Sequence, residues 1–180
     1  SIMSELRTNR IVPRDGLPSG SAGGIIQVKS TTMTTVANYT INGMTWTEVS
    51  GLTTTITPIR SDSKILVMLT IGAIASNAEY QRYGLALRRN SQNIGVNSDG
   101  VNHTRANWTY YGRNFGNTPD TFVAFNHLDS PATTSAVSYK VMITSEGNGH
   151  TLYINRSVTD SSSSSVFRAA SSLTLMEISG

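Results

Sequence analysis

Val137-Ser138-Tyr139-Lys140-Val141-Met142-Ile143 places an apolar side chain at every odd position and puts Ser138 and Lys140 between them. That period of two is the signature of a strand with one face in a core and the other in water. The closing segment Leu173-Thr174-Leu175-Met176-Glu177-Ile178 repeats it and brings Leu173 and Leu175 to one face. Between these anchors and back to Ile25, the chain consists of short runs rich in Val, Ile, Thr, Tyr and Phe. Gly, Asn, Asp, Ser or Pro interrupts them every eight to twelve residues, as in sandwiches and barrels. Strands are predicted near 25–30, 33–40, 44–49, 52–58, 63–74, 82–90, 93–97, 107–112, 120–129, 137–144, 151–157 and 171–179. Helical periodicity is absent throughout.

The run Lys64 to Ile74 (KILVMLTIGAI) differs in being apolar on both faces. A strand of that kind needs two covers, and in a domain this small the facing sheet plus a neighbouring subunit would supply them. Its apolar part has about half the ~20 residues of a membrane helix, so it reads as a buried strand. Ser1 to Arg10 lacks the apolar stretch of a secretory leader, and neither export by that route nor membrane insertion is expected.

With 180 residues, one domain with an appendage is expected, large enough to hold a core without staples. Residues 1–24 (SIMSELRTNRIVPRDGLPSGSAGG) form the appendage: Pro13 and the Gly16-Leu17-Pro18-Ser19-Gly20 stretch stop any helix or strand from extending. Leu6, Ile11, Val12 and Leu17 suit an arm that docks on a partner better than a solvated tail. Arg7, Arg10 and Pro13 complete the expected anchor, and Gly20, Gly23 and Gly24 the hinge. Residues 25–180 make the β domain. Asp160 to Ser165 (DSSSSS) reads as a mobile low-complexity loop.

Only 14% of residues are charged, and the net charge of +3 is scattered, so no stripe for nucleic acid is expected. The chain has no cysteine, which removes thiol chemistry, thiolate metal sites and disulfides. His103, His127 and His150 lie in separate segments without ligand spacing, and no metal or other cofactor is expected. Asn97-Ser98-Asp99-Gly100 resembles the middle of a calcium loop, but Gly95 and Ala106 stand where its terminal ligands belong, so it reads as a turn. The glycine-rich Gly16 to Gly24 segment lacks a phosphate loop's Lys-Ser/Thr and leads into a strand. Asp62, Glu79, Asp99, Asp120, Asp129 and Glu146 fall in turns or at strand ends and read as solvated acids. No nucleophile, base and orienter come together, so no enzyme is expected.

Aromatic residues gather in Trp108-Thr109-Tyr110-Tyr111, flanked by Arg105 and Arg113. Two readings stand side by side: packing in the core or against a subunit, and a glycan- or receptor-contacting patch of Trp108, Tyr110, Tyr111 and Arg113. Asn-x-Ser/Thr triplets at Asn38, Asn102, Asn107 and Asn155 follow from composition and receive no role.

Two sets of motifs carry a resemblance. The arm has Leu6-Arg7-Thr8-Asn9-Arg10-Ile11-Val12-Pro13, then Gly16 and Gly23-Gly24-Ile25-Ile26-Gln27-Val28. The body has Gly51-Leu52-Thr53-Thr54-Thr55-Ile56-Thr57-Pro58, Ser63-Lys64-Ile65-Leu66-Val67, Leu128-Asp129-Ser130-Pro131, Tyr139-Lys140-Val141, Leu152-Tyr153-Ile154-Asn155-Arg156 and the closing Leu173 to Ile178. Together they resemble small virion structural and tail-fibre-like proteins of marine cyanophages and related tailed phages. The resemblance spans most of the chain but carries nothing over for residues 76–118. It implies an antiparallel jelly-roll sandwich of the C1q/tumour-necrosis-factor-like (C1q/TNF-like) kind, with an extended N-terminal arm, assembled as a homotrimer. It also implies a location on the virion surface after assembly in the host cytoplasm, with residues 1–24 bound to capsid or tail proteins. The expected role is a surface fibre, head fibre or capsid decoration that stabilises the particle or attaches it to the host. The alternative is a carbohydrate-binding tip module that contacts a host-surface glycan.

Overall fold

The computed structural model describes residues 24–78, 80–99, 103–112, 121–164 and 166–180. Within them lie β1 (Ile25–Met33), β2 (Ala37–Ile41), β3 (Thr47–Ile56), β4 (Lys64–Ser76), β5 (Gln81–Arg89) and β6 (Gln92–Ile94). They are followed by β7 (Trp108–Gly112), β8 (Thr121–Asp129), β9 (Val137–Ser145), β10 (His150–Ile154) and β11 (Ser171–Ile178). No helix occurs among the described residues. The all-β expectation is therefore met, and most strands lie within a few residues of the predicted ranges.

The strands pair antiparallel in a nested order: β1 with β11, β3 with β9, β4 with β8 and β5 with β7. The chain is thus laid out as one long ribbon whose outer ends are its first and last strands. Further pairing of β11 with β4 and of β9 with β5 folds the ribbon onto itself. Two sheets result, β1-β11-β4-β8 extended by β10 and β2, and β3-β9-β5 completed by β6 and β7. They face each other as an antiparallel sandwich.

Alternation decides what lies between them. Val137, Tyr139, Val141 and Ile143 of β9 are buried, as are Leu173 and Leu175 of β11 and Leu85 and Leu87 of β5. In β4 the same parity sends Ile65, Val67, Leu69 and Ile71 inward. The double cover expected for this run is not found among the described residues, where Leu66 is half-buried and Met68 is 44% exposed on the outer face.

The predicted strands 44–49 and 52–58 are joined in β3. Its register against β9 shifts between Glu48 and Thr53, and Gly51 lies within that interval at φ +94°. A positive φ is open to glycine without strain, so a bulge replaces the break the sequence suggested.

Two buried polar groups tie the strands together. Asn155, fully buried at φ +64° just past β10, donates through Nδ2 to the carbonyls of Met33 and Thr35, both at 2.9 Å. Its Oδ1 accepts from the Ser171 hydroxyl, and its main chain bonds Ala73 and Ala169. Glu177, also fully buried, accepts from Gln27 Nε2 at 2.6 Å and from the Ile59 amide at 2.8 Å. Burial pushes its pKa upward, but these hydrogen bonds outweigh that and hold the carboxyl below its ordinary value.

Asp129 departs from the solvated reading. It is buried at the end of β8, takes Arg89 Nη1 at 2.9 Å on both oxygens and accepts from the Tyr139 hydroxyl. Asp160 likewise anchors its serine-rich loop, receiving Arg168 Nε at 3.1 Å and Nη2 at 3.0 Å. The Arg168 hydrogen bonds hold its carboxyl below the ordinary range.

The sandwich has two poles. At one, Gly24 accepts a hydrogen bond from the Ser179 amide at 2.9 Å, and Lys64, Arg89 and Asp129 lie nearby. β4 runs from there for 13 residues to Ser76, a span of roughly 40 Å. At this far pole the Ser76 hydroxyl bonds that of Tyr83, at the start of β5. Gly24, counted with the hinge on sequence, is thus fastened to the C-terminal segment. Leu6, Arg7, Arg10, Ile11, Val12, Pro13, Leu17, Gly20 and Gly23 lie outside the described residues.

Candidate functional site

At the far pole the outer face of the smaller sheet carries a cleft of about 450 Å³. The ends of β5, β7 and β9 form it, closed on one side by the segment Thr104 to Ala106 and by Met44. The antiparallel register sets Arg82 opposite Tyr111 and Gly84 opposite Thr109, so these four share the outward face. The Arg82 guanidinium lies 5.2 Å from the centre of the Tyr111 ring, within cation–π range. Its Nη1 also donates to Glu146 Oε2 at 2.9 Å, and the Glu146 amide donates to the Arg82 carbonyl at 3.0 Å.

The floor is tight. A side-chain carbon at Gly84 would stand 3.2 Å from Thr144 Cγ2, 3.4 Å from Trp46 and 3.5 Å from Ala106. Glycine here lets Trp46 and the 104–106 segment close over the sheet. Thr144 is 3% exposed, and its hydroxyl has no hydrogen-bond partner among the described residues. Beneath lies Tyr83, whose burial raises its phenol pKa.

The aromatic cluster divides across the two faces of β7. Trp108 and Tyr110 pack against the core with their rings stacked, centroids 5.9 Å apart and planes inclined by 7°. Tyr111 points out and is 41% exposed. Adjacent strand residues face opposite ways, so the Tyr110 ring lies toward the core and Tyr111 points outward, while both residues line the cleft. Arg113 lies outside the described residues. Arg82, Thr144 and Met44, absent from the sequence reading, and Glu146, read there as a solvated acid, are brought to Tyr111 by long-range register. The one local sign was parity, which separates Tyr111 from Trp108 and Tyr110.

The histidines are distributed. His103 stands at the cleft rim, the His127 ring lies against Gly95, and His150 lies beside Gly147. Among the described residues no three His, Asp or Glu side chains gather as metal ligands. No protein-family model matches the chain, and no curated protein matches it in sequence.

A second surface differs sharply from the cleft. On the outer face of the larger sheet, Val28, Met176, Leu66 and Leu128 stand directly opposite one another across β1, β11, β4 and β8. Ser30, Thr174, Met68 and Asn126 form the next row, and Thr32, Ser172, Thr70 and Ala124 the one after. Phe122, 70% exposed, lies beyond on β8. Lys64 at the rim is the one charged residue in the outward-facing rows of β1, β11, β4 and β8; at β10 of the same sheet, Arg156 lies 4.7 Å from the centre of the Tyr153 ring. The smaller sheet instead carries the Lys140–Glu48 and Arg82–Glu146 ion pairs on its outer side.

Proposed function

We propose that the protein is a structural component of a phage particle. Its body is a jelly roll that assembles as a homotrimer, anchored by residues 1–24 to capsid or tail proteins and displayed as a surface fibre or decoration. It catalyses no reaction. The observation that carries the trimer is the apolar row on the outer face of the larger sheet, across β1, β11, β4 and β8. This row of Val28, Met176, Leu66 and Leu128, with Met68 beside it and Phe122 beyond an intervening Ser/Thr row, spans roughly 20 by 20 Å, a size at which exposed patches are often functional. Self-association around an axis would cover it and supply the second cover that β4 lacks among the described residues.

The nested pairing supports the jelly-roll reading, since folding such a ribbon gives sheets in the order first-last-fourth-eighth and third-ninth-fifth-seventh. The phage assignment rests on the sequence resemblance. The location of Gly24 favours tethering, because an arm leaving there turns the opposite pole outward.

Light scattering on the purified full chain tests the assembly. A mass three times the 19.4 kDa of one chain is expected, and a monomer at micromolar concentration would overturn it. Introducing charge into the face through Met68→Glu with Leu128→Glu is expected to lower the mass while the sandwich stays folded. Labelled antibody on intact particles tests the virion location.

The far-pole cleft favours a second reading, a receptor-binding head that contacts a host-surface glycan.

A further inference from the structure

We propose that the cleft bounded by Arg82, Tyr111, Glu146, Thr144, Thr109 and Met44 binds an uncharged saccharide ring. The inference rests on the glycan-receptor reading and deepens it by naming the site and the ligand chemistry.

The first observation is the Thr144 hydroxyl. Buried hydroxyls are nearly always paired, and an orphan calls for an explanation. Of the two orphans among the described residues, that of Ser63 lies beside the Glu177 carboxylate. The other, Thr144, lies in the cleft floor, 97% buried. Valine would fill the same space without an unpaired oxygen, so the hydroxyl contributes nothing to the free protein. A ligand hydroxyl reaching the floor, with a small outward shift of the covering side chains, gives it a partner.

The second observation is the ion pair above it. Arg82 uses Nη1 on one oxygen of Glu146. The remaining guanidinium N–H groups and the other carboxylate oxygen have no partners among the described residues. A donor and an acceptor held side by side read two neighbouring hydroxyls of a sugar, one accepting and one donating. Because the two charges cancel, the pair favours a neutral ring over an anionic one. Tyr111, fixed by the guanidinium lying over it, and Met44 offer apolar walls for the ring's C–H groups. The volume of about 450 Å³ falls within the range of small-molecule sites. The cleft also lies at the pole opposite Gly24, where a tethered body meets its surroundings.

The test is a ligand-observed NMR titration of the full chain with the methyl glycosides of galactose, mannose, glucose and N-acetylglucosamine, with methyl glucuronide as the anionic comparison. At least one neutral glycoside is expected to bind more tightly than the glucuronide. Thr144→Val is expected to weaken that binding about tenfold while thermal stability is unchanged or raised. Arg82→Ala is expected to abolish it. Preference for the glucuronide, or binding unaltered in both variants, would overturn the inference. A glycan array read in parallel separates it from the broader reading. Array binding that survives in both variants leaves a glycan receptor elsewhere and removes the cleft. No binding by the native chain to array or glycosides removes both.

Discussion

The Tyr139 hydroxyl donates a 2.7 Å hydrogen bond to Asp129 Oδ2, and this bond crosses the sandwich from β9 to β8. Arg89, on β5 beside β9, grips the same carboxylate. A core tyrosine and a strand-end arginine thus clamp an aspartate of the other sheet. Tyr139→Phe removes one donor and is expected to lower unfolding free energy by about 1 kcal/mol. Asp129→Asn also strands the arginine and is expected to cost about 2 kcal/mol, moderated because Arg89 reaches water. Urea unfolding with an unchanged slope is the measurement, and equal stability of Tyr139→Phe and the native chain would refute the clamp. Burial first, and then the Asp129 contact, raise the Tyr139 pKa. Its phenolate absorbance should therefore appear only when alkali unfolds the protein.

Glu177 predicts a pH dependence. Its folded pKa lies below the ordinary 4.5, so the folded chain binds fewer protons than the unfolded chain in that interval. The stabilisation is complete above the ordinary value and is lost as pH falls through the folded one. Glu48, lowered chiefly by its hydrogen bond from Lys140, acts in the same direction. Urea midpoints measured from about pH 7 down to about pH 3 should decline on the acid side. The decline should be shallower in Glu177→Gln, and an identical profile for that variant would exclude Glu177 as a source.

The two faces of β7 predict opposite responses. Trp108→Ala removes a ring packed on the core and is expected to cost about 3 kcal/mol. Tyr111→Ala removes an outward ring and is expected to change stability by less than about 1 kcal/mol. Thermal denaturation of both variants decides this, and a larger loss for Tyr111→Ala would contradict the assignment of faces.

Asn155 predicts a reversal of the usual order of alanine and glycine. Both substitutions remove the bonds to Met33, Thr35 and Ser171. Only glycine accepts φ +64° without strain. Asn155→Gly is therefore expected to be more stable than Asn155→Ala by about 1 kcal/mol, as read from unfolding midpoints. The three side-chain bonds also occupy the amide, so Asn155 is unsuited to modification despite its Asn-x-Ser triplet.

The strand content was legible because a period of two is local, and it placed Val137, Tyr139, Val141 and Ile143 inward from sequence alone. The buried carboxylates show where that reading stopped. Glu177 shares the parity of Leu173 and Leu175, which marks it as inward, but its partners Gln27 and Ile59 are more than a hundred residues away in the chain. The burial of Asp129 depends likewise on two other strands. The joining of 44–49 to 52–58 depends on a single positive φ at Gly51. For the cleft, the sequence offered Tyr111 but grouped it with ring neighbours on the opposite face. Arg82, Thr144 and Glu146 come from two other strand ends and carry no mutual spacing to detect.

The hydrogen bond between Ser179 and Gly24 sets the start of β1 beside the end of β11, which decides how the body bears force. Pulling the two ends apart would peel β1 from β11 one bond at a time, with each bond loaded in turn. In the proposed tethered arrangement, a load between Gly24 and the far pole would pull along β1 instead. The load is then sheared across the whole β1–β11 ladder, whose bonds share it at once. The same strand is a weak zipper in one direction and a strong tether in the other, and the proposed attachment at opposite poles would select the strong one.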